Sequence, residues 1–205
     1  MEHFNYNIFP TNIFGYKLDL DHQKIKKECY AIQNLLPSRE LSNIGGYQSP
    51  DLHSVFLNKN NFSNIKYLTF LIPTLLSQYF KNYNFLTSLK LSNIWININP
   101  PSSWNLKHTH PESHFSGTYY VSVPEDSNSG IAFIRNREFV DCGMLNFNEV
   151  RDKDNIRLPQ FENGRVFYFK SNDIVFFPSY LEHEVGENYS KEDRISISFN
   201  CVKEK

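Results

Sequence analysis

Three of the seven histidines in this 205-residue chain crowd into His108-Thr109-His110-Pro111-Glu112-Ser113-His114, and a fourth, His183, stands 73 residues beyond His110. Neutral imidazole is a common metal ligand at physiological pH. On an extended chain residues i and i+2 face the same way, so His108 and His110 can approach one metal ion from one strand edge. His110 and Glu112 can do the same, with Pro111 fixing the backbone between them. A close pair on one strand plus a distant residue from a later strand is the sequence form of a three-ligand face that leaves positions open for substrate and dioxygen. Merely solvated histidines also form such clusters, so the pattern needs a second feature.

That feature is Arg194-Ile195-Ser196, which begins eleven residues after His183. The planar fork of an arginine can hold a carboxylate in two parallel bonds, and a serine two residues on faces the same side of the strand. The pair suits the far end of a dicarboxylic acid; the alternative is a salt-bridged edge arginine beside an inward serine. Other polar groups carry less. Trp104 and Asn105 precede the histidine pair and either line the entrance to the site or belong to a turn after Pro100-Pro101, while His114 is either a surface histidine or a group that meets the substrate or supports the ligands. Glu182 and Glu184 flank His183 and by alternation point away from its face. Phe133, Phe167, Phe176 and Phe177 either wall the pocket or form ordinary core.

These residues need strands to hold them, and the hydrophobic period supplies strands. A helix is expected over His22 to Leu36, capped by Asp19 or Asp21, with Ile25, Cys29, Ile32, Leu35 and Leu36 at helical spacing. A second is expected over Ser63 to Tyr83, with a kink or break at Pro73. Short extended pieces are expected within Tyr6 to Leu20, and Ser42 to Leu52 reads as an irregular loop. From Leu89 the period changes from 3.6 to 2. Leu89–Asn99, Phe115–Val123, Ser129–Ile134, Arg165–Phe169, Asp173–Phe177 and Arg194–Val202 read as strands. The long charged stretch Asn136 to Gly164 reads as a surface excursion or lid. Helices first and antiparallel strands after them give a mainly β (α+β) sandwich or jelly roll, with the N-terminal helices packed on one outer face.

Composition limits the alternatives. Aromatic residues make up 16% of the chain, against two alanines, which leans toward β structure. With 21 Lys+Arg against 22 Asp+Glu the net charge is −1, so nucleic acid is not the expected partner and any anion must be held locally. The longest apolar stretch, Leu68 to Leu76, falls far short of the roughly 20 residues a membrane span requires. The first nine residues do not resemble a signal peptide, and Cys29, Cys142 and Cys201 have neither a CxxC nor a framework spacing, which fits a reducing cytoplasm.

Taken together, the motifs resemble the iron(II) and 2-oxoglutarate-dependent oxygenases, which carry an HxD or HxE pair, a distal histidine and a following arginine, often as RxS. Ile8-Phe9-Pro10-Thr11, Gly45-Gly46-Tyr47-Gln48-Ser49, the block from His108 to Val121, Phe177-Pro178-Ser179 to His183, and Arg194 to Asn200 are similar in order and spacing to a subfamily of marine bacteria and cyanophages, with a layout like that of prolyl hydroxylases. The resemblance implies a double-stranded β-helix (jelly roll, cupin-like) over residues 88–205, a helical flank over 1–87, and one domain in all. It implies Fe(II), 2-oxoglutarate and O2, with ascorbate as a reductant. His183 matches the distal ligand, Arg194 with Ser196 the cosubstrate clamp, and Tyr120 a tyrosine that reaches the cosubstrate, so that Tyr119 faces the other way. The HxH pair departs from HxD/E: His108 with His110 gives three imidazoles and is favoured because HxHP is the subfamily's constant part, whereas His110 with Glu112 restores the two-histidine, one-carboxylate set. The implied reaction hydroxylates an unactivated C–H bond with release of succinate and CO2. A small molecule or a peptide, with peptidyl proline one candidate, is the expected substrate of a monomer or homodimer in the cytoplasm, the host's if the chain is phage-encoded. The rival classes are a cupin-like metal or small-acid binder without oxygenase activity and a virion-associated structural protein.

Overall fold

The computed structural model describes residues 11–53, 62–81, 88–134 and 164–204. In chain order the elements are β1 (Phe14–Lys17), α1 (His22–Leu35), β2 (Asn43–Ile44), β3 (Tyr47–Gln48), α2 (Ser63–Phe80), β4 (Leu89–Asn99), β5 (Trp104–His108), β6 (Phe115–Ser122), β7 (Ile131–Ile134), β8 (Gly164–Phe167), β9 (Asp173–Pro178), β10 (Glu182–Val185) and β11 (Arg194–Lys203). The strands form two antiparallel sheets, ordered β1-β9-β6-β11-β4-β3 and β2-β5-β10-β7-β8. This is the jelly roll with N-terminal helices that the strand pattern predicts.

Both helices arise where the apolar spacing places them. Asp21, not Asp19, caps α1: its Oδ1 accepts from the Lys24 N–H at 3.1 Å, a contact worth about 1 kcal/mol. The first turn of α2 has no cap of its own. Glu28 on α1 serves instead, accepting from the Asn64 and Ile65 N–H groups at 3.2 and 2.9 Å, which locks the two helices together. The helix runs through Pro73 without a break, although residue 73 has no N–H to donate.

The main apolar core lies between these helices and the outer face of the six-stranded sheet. Ile25, Ile32, Leu68 and Ile72 pack against Ile94, Ile96 and Ile98 of β4, Tyr119 and Val121 of β6, and Ile195, Ile197 and Phe199 of β11. Each of these strands alternates, so the residues between the core positions turn inward: Trp95 and Asn97, Thr118 and Tyr120, Arg194, Ser196 and Ser198. The interior of the roll is therefore polar, and its apolar part is the small cluster Ile131, Phe133 and Phe177. Gly117 permits this packing, because a Cβ there would collide with the Phe199 ring and the Val175 carbonyl.

Several expectations change. Ser42 to Leu52 is not wholly irregular: β2 joins the edge of one sheet and β3 the edge of the other, connected through Gly45 at φ +74°. Two-residue strands leave too little alternation to read. Phe176 belongs to the outer core, stacked on Phe14 at 5.0 Å, and does not wall the interior, because it alternates with Phe177. The stretch predicted as a lid, Asn136 to Gly164, lies outside the described residues except for Gly164, which opens β8; Ile8-Phe9-Pro10 and Cys142 also lie outside them.

Candidate active site

Two short strands with little apolar pattern, β5 (WNLKH) and β10 (EHEV), carry the histidines. They pair directly, with His183 opposite His108 on one side and opposite Phe133 of β7 on the other, and the β5–β10 ladder shifts register just past His183. Such irregularities often re-aim a side chain at a site. His110 follows β5, its N–H donating to the Ser179 carbonyl at 3.0 Å. The three side chains meet: ring centroids lie 5.0 Å apart for His108 and His110, 4.4 Å for His108 and His183, and 5.0 Å for His110 and His183, and one nitrogen from each lies within 4.8 Å of the others.

Glu112 takes no part in this cluster. The chain turns at residues 111–112, with φ +66° at Glu112, so the i, i+2 relation to His110 fails and the carboxylate is exposed. His114 is exposed as well, and Glu182 and Glu184 point outward; Glu182 meets Lys107 at 3.6 Å.

Two of the three imidazoles are held in one tautomer. His108 Nδ1 lies 2.6 Å from the Leu106 carbonyl and His183 Nδ1 lies 2.9 Å from the Leu181 carbonyl. Each Nδ1–H therefore donates to the carbonyl two residues back, leaving Nε2 with its lone pair for a metal, the usual way a ligating histidine is oriented. Burial holds His108 below its ordinary pKa. Burial and the neighbouring imidazoles hold His110 down to about 3, and burial and His108 hold His183 down to about 4. All three are neutral at pH 7, the form that binds a metal.

Beyond the histidines, on the inner face of the six-stranded sheet, sits Arg194, 2% exposed, with its guanidinium carbon 5.3 Å from the Tyr120 ring centroid. Among the described residues no carboxylate pairs with it. Its Nε and the Tyr120 hydroxyl are both buried without a hydrogen-bond partner. Burial lowers the guanidinium's pKa and pushes the Tyr120 phenol up to about 12, so the phenol keeps its proton and can donate it to an anion. Ser196 and Asn105 line the same cavity; Asn105 Oδ1 accepts from Asn99 Nδ2 at 3.2 Å, which leaves its NH2 free to donate. Behind Arg194, fully buried Asn188 ties the chain down, donating to the Asn99 and Glu192 carbonyls at 2.9 and 2.8 Å.

All the residues singled out from the sequence for metal or cosubstrate, His108, His110, His183, Tyr120, Arg194, Ser196 and Asn105, line this one cavity. Trp95, Asn97, Thr118 and Ser198 join them without having been foreseen. Their signal was present: they are the inward members of strands whose other members are core. Trp95, His108 and His110 also border a second, half-open groove of about 590 Å³ that leads outward between residues 39–51 and the turn after β5.

A sequence profile described as "Putative 2OG-Fe(II) oxygenase" matches residues 93–200, just over half of the chain, and so contains every one of these cavity residues. The chain belongs to that family. Comparison with curated proteins by sequence finds no match. The fold is similar to that of a prolyl hydroxylase from Trichoplax adhaerens in complex with a hypoxia inducible factor peptide fragment (TM-score 0.64, 11% identity, 93% of this chain and 82% of that one). It is also similar to a prolyl-4-hydroxylase from Pseudomonas putida (0.60, 11%, 95% and 94%) and to HygX from Streptomyces hygroscopicus with nickel and 2-oxoglutarate bound (0.61, 11%, 94% and 83%). The donor set of this 2OG-Fe(II) oxygenase fits the family's cofactors. Three neutral imidazoles suit a divalent transition metal, and a buried guanidinium whose Nε has no hydrogen-bond partner among the described residues, beside a buried phenol, suits a carboxylate. No helix among the described residues is long and apolar enough to cross a membrane.

Proposed function

We propose that the chain is an Fe(II)- and 2-oxoglutarate-dependent dioxygenase in which His108, His110 and His183 hold the metal through Nε2, Arg194 and Ser196 hold the far carboxylate of the cosubstrate, and Tyr120 and Asn105 donate to it. Residues 1–205 act as one catalytic domain in the cytoplasm. The observation that carries this reading is a buried arginine that has no carboxylate partner among the described residues, in the same polar cavity as three metal-ready histidines. An unpaired buried cation is costly, so a fold keeps one where a ligand completes it.

When bound, the metal, 2-oxoglutarate and dioxygen supply the oxidising power to hydroxylate an unactivated C–H bond, with succinate and CO2 as coproducts. The chain's own residues prepare that chemistry. Backbone carbonyls of Leu106 and Leu181 fix two imidazoles, and the rings of Phe133 and Phe177, 6.1 and 4.8 Å from the His183 ring, keep water from its back. Peptidyl proline is the proposed substrate. Two similar structures are prolyl hydroxylases, one with a peptide bound, which supports this choice. The test is succinate formation from 2-oxoglutarate by protein reconstituted with Fe(II). Slow, iron-dependent succinate production in air that disappears in Arg194→Ala is expected; no succinate at saturating iron and cosubstrate overturns the reading.

A further inference from the structure

The groove of about 590 Å³ shares His108 and His110 with the histidine cluster and opens outward from it, away from Arg194 and Ser196. Its lining holds two cations, Arg39 and Lys107, and two carboxylates, Glu40 and Asp51, so it has no net sign with which to collect an anion such as a nucleic-acid backbone. Its floor is polar and offers amide groups: Asn200 Oδ1 is taken by the Ser116 hydroxyl at 2.8 Å, leaving its NH2 to donate, and Gln48 Oε1 is buried without a partner. Against this background three apolar groups stand out. Leu41 and Leu106, 55% and 47% exposed, lie close together on adjacent segments of the groove's lining that are joined by the Leu106 N–H to the Ser42 carbonyl at 2.8 Å. Trp95 lies where the groove meets the inner cavity, its ring 5.6 Å from that of His110, and among the described residues its indole N–H has no hydrogen-bond partner.

We propose that Trp95 is the specificity-determining platform of the substrate site, and that the groove takes an extended peptide segment whose target residue is apolar and lies against the indole beside the metal. This rests on the oxygenase reading and deepens it. A flat aromatic face offers a large dispersion and burial surface to an apolar side chain or saturated ring, and nothing to a charged one. Leu41 and Leu106 together give an apolar subsite for a neighbouring residue, and the floor amides meet backbone N–H and C=O groups. A carbohydrate would use the indole and the amides but has no use for two leucines on the rim.

The test is calorimetric titration of the full chain, loaded with Fe(II) and 2-oxoglutarate under argon and also metal-free, with acetyl-Leu-Pro-Leu-amide, acetyl-Leu-Asp-Leu-amide and methyl α-glucopyranoside. The prolyl peptide is expected to bind saturably at millimolar concentration or below and to shift the indole emission of a Trp104→Phe protein, where Trp95 is the emitter. The aspartyl peptide is expected to bind at least tenfold more weakly, and the sugar not at all. Trp95→Ala is expected to weaken the prolyl peptide at least tenfold, Trp95→Phe by less, and Leu106→Asp, an exposed change that leaves folding intact, several-fold. Equal binding of the prolyl peptide by Trp95→Ala and wild type, no binding at all, or binding of the sugar alone overturns the proposal. Because the titration reads binding and not turnover, a chain that binds the peptide but forms no succinate refutes the cofactor reading and leaves the platform standing.

Discussion

Replacing Arg194 by methionine separates what this residue does for the ligand from what it costs the fold. The side chain is 2% exposed, its Nε is unpartnered among the described residues, and its guanidinium carbon lies 5.3 Å from the Tyr120 ring centroid. Breaking a buried arginine–carboxylate pair typically costs 2–5 kcal/mol, so a value of about 3 kcal/mol weakens 2-oxoglutarate on the order of 100-fold. Arg194→Lys keeps the charge and loses the fork, for about 1.5 kcal/mol or about tenfold. Without cosubstrate the sign reverses. Exchanging an unmatched buried cation for an apolar chain of similar length is neutral or stabilising by about 1–4 kcal/mol. In thermal melts with 2-oxoglutarate at about 100 times the wild-type Kd, wild type gains about 2.7 kcal/mol, or about 5–10 °C for a domain of this size, while the variant gains about 0.4 kcal/mol. A methionine variant that melts well below wild type without ligand, or that keeps the full cosubstrate shift, refutes the view that Arg194 is held unpaired for a carboxylate.

Two further outcomes follow from the histidine geometry. His108→Ala, His110→Ala and His183→Ala should each lose metal by more than the roughly 10- to 100-fold that outer-shell partners carry, and Glu112→Ala should retain it, as read by metal content after gel filtration; metal retained in His108→Ala and lost in Glu112→Ala moves the ligand set. Stability of the metal-free chain should depend on pH in a defined direction. Burial depresses these histidines below 6.5, so the unfolded chain takes up protons that the folded chain refuses; their contribution is complete above about pH 6.5 and is lost as pH falls toward about 4 and about 3. The melting temperature should fall between pH 6.5 and 4.5 and should do so less in His110→Gln; a flat or rising profile there contradicts the burial.

Apart from β8, the long strands that could be read from the sequence are those that are half core. In Leu89-Lys90-Leu91-Ser92-Asn93-Ile94-Trp95-Ile96-Asn97-Ile98-Asn99 the isoleucines pack outward on the helices and the polar members point inward, so one alternation encodes both the core and the cavity wall. Arg194 and Ser196 were legible for the same reason, whereas Tyr120 was legible only through the family resemblance. What period 2 cannot reveal is a strand whose two faces are both polar or exposed. The apolar residues of β5, Trp104 and Leu106, are exposed and belong to no core, β10 has one apolar residue, Val185, β2 and β3 are two residues each, and all four are defined by their hydrogen-bond partners. Hence the histidines were legible as residue types at a spacing, while the pairing of His108 with His183 was not. The Glu112 alternative assumed extended backbone beyond His110, and a positive φ at a non-glycine residue removes that assumption. Pro73 failed as a breaker because packing of Leu68, Ile72, Leu75 and Leu76 against the sheet outweighs one missing hydrogen bond.

The most direct test of the whole account is the visible spectrum of the purified chain under argon, titrated with Fe(II) and then 2-oxoglutarate. A weak charge-transfer band that appears only with both present, persists at reduced cosubstrate affinity in Arg194→Lys and is absent in His183→Ala is the predicted result. No band in wild type with both saturating contradicts the assignment of these histidines and this arginine to a single metal and cosubstrate site.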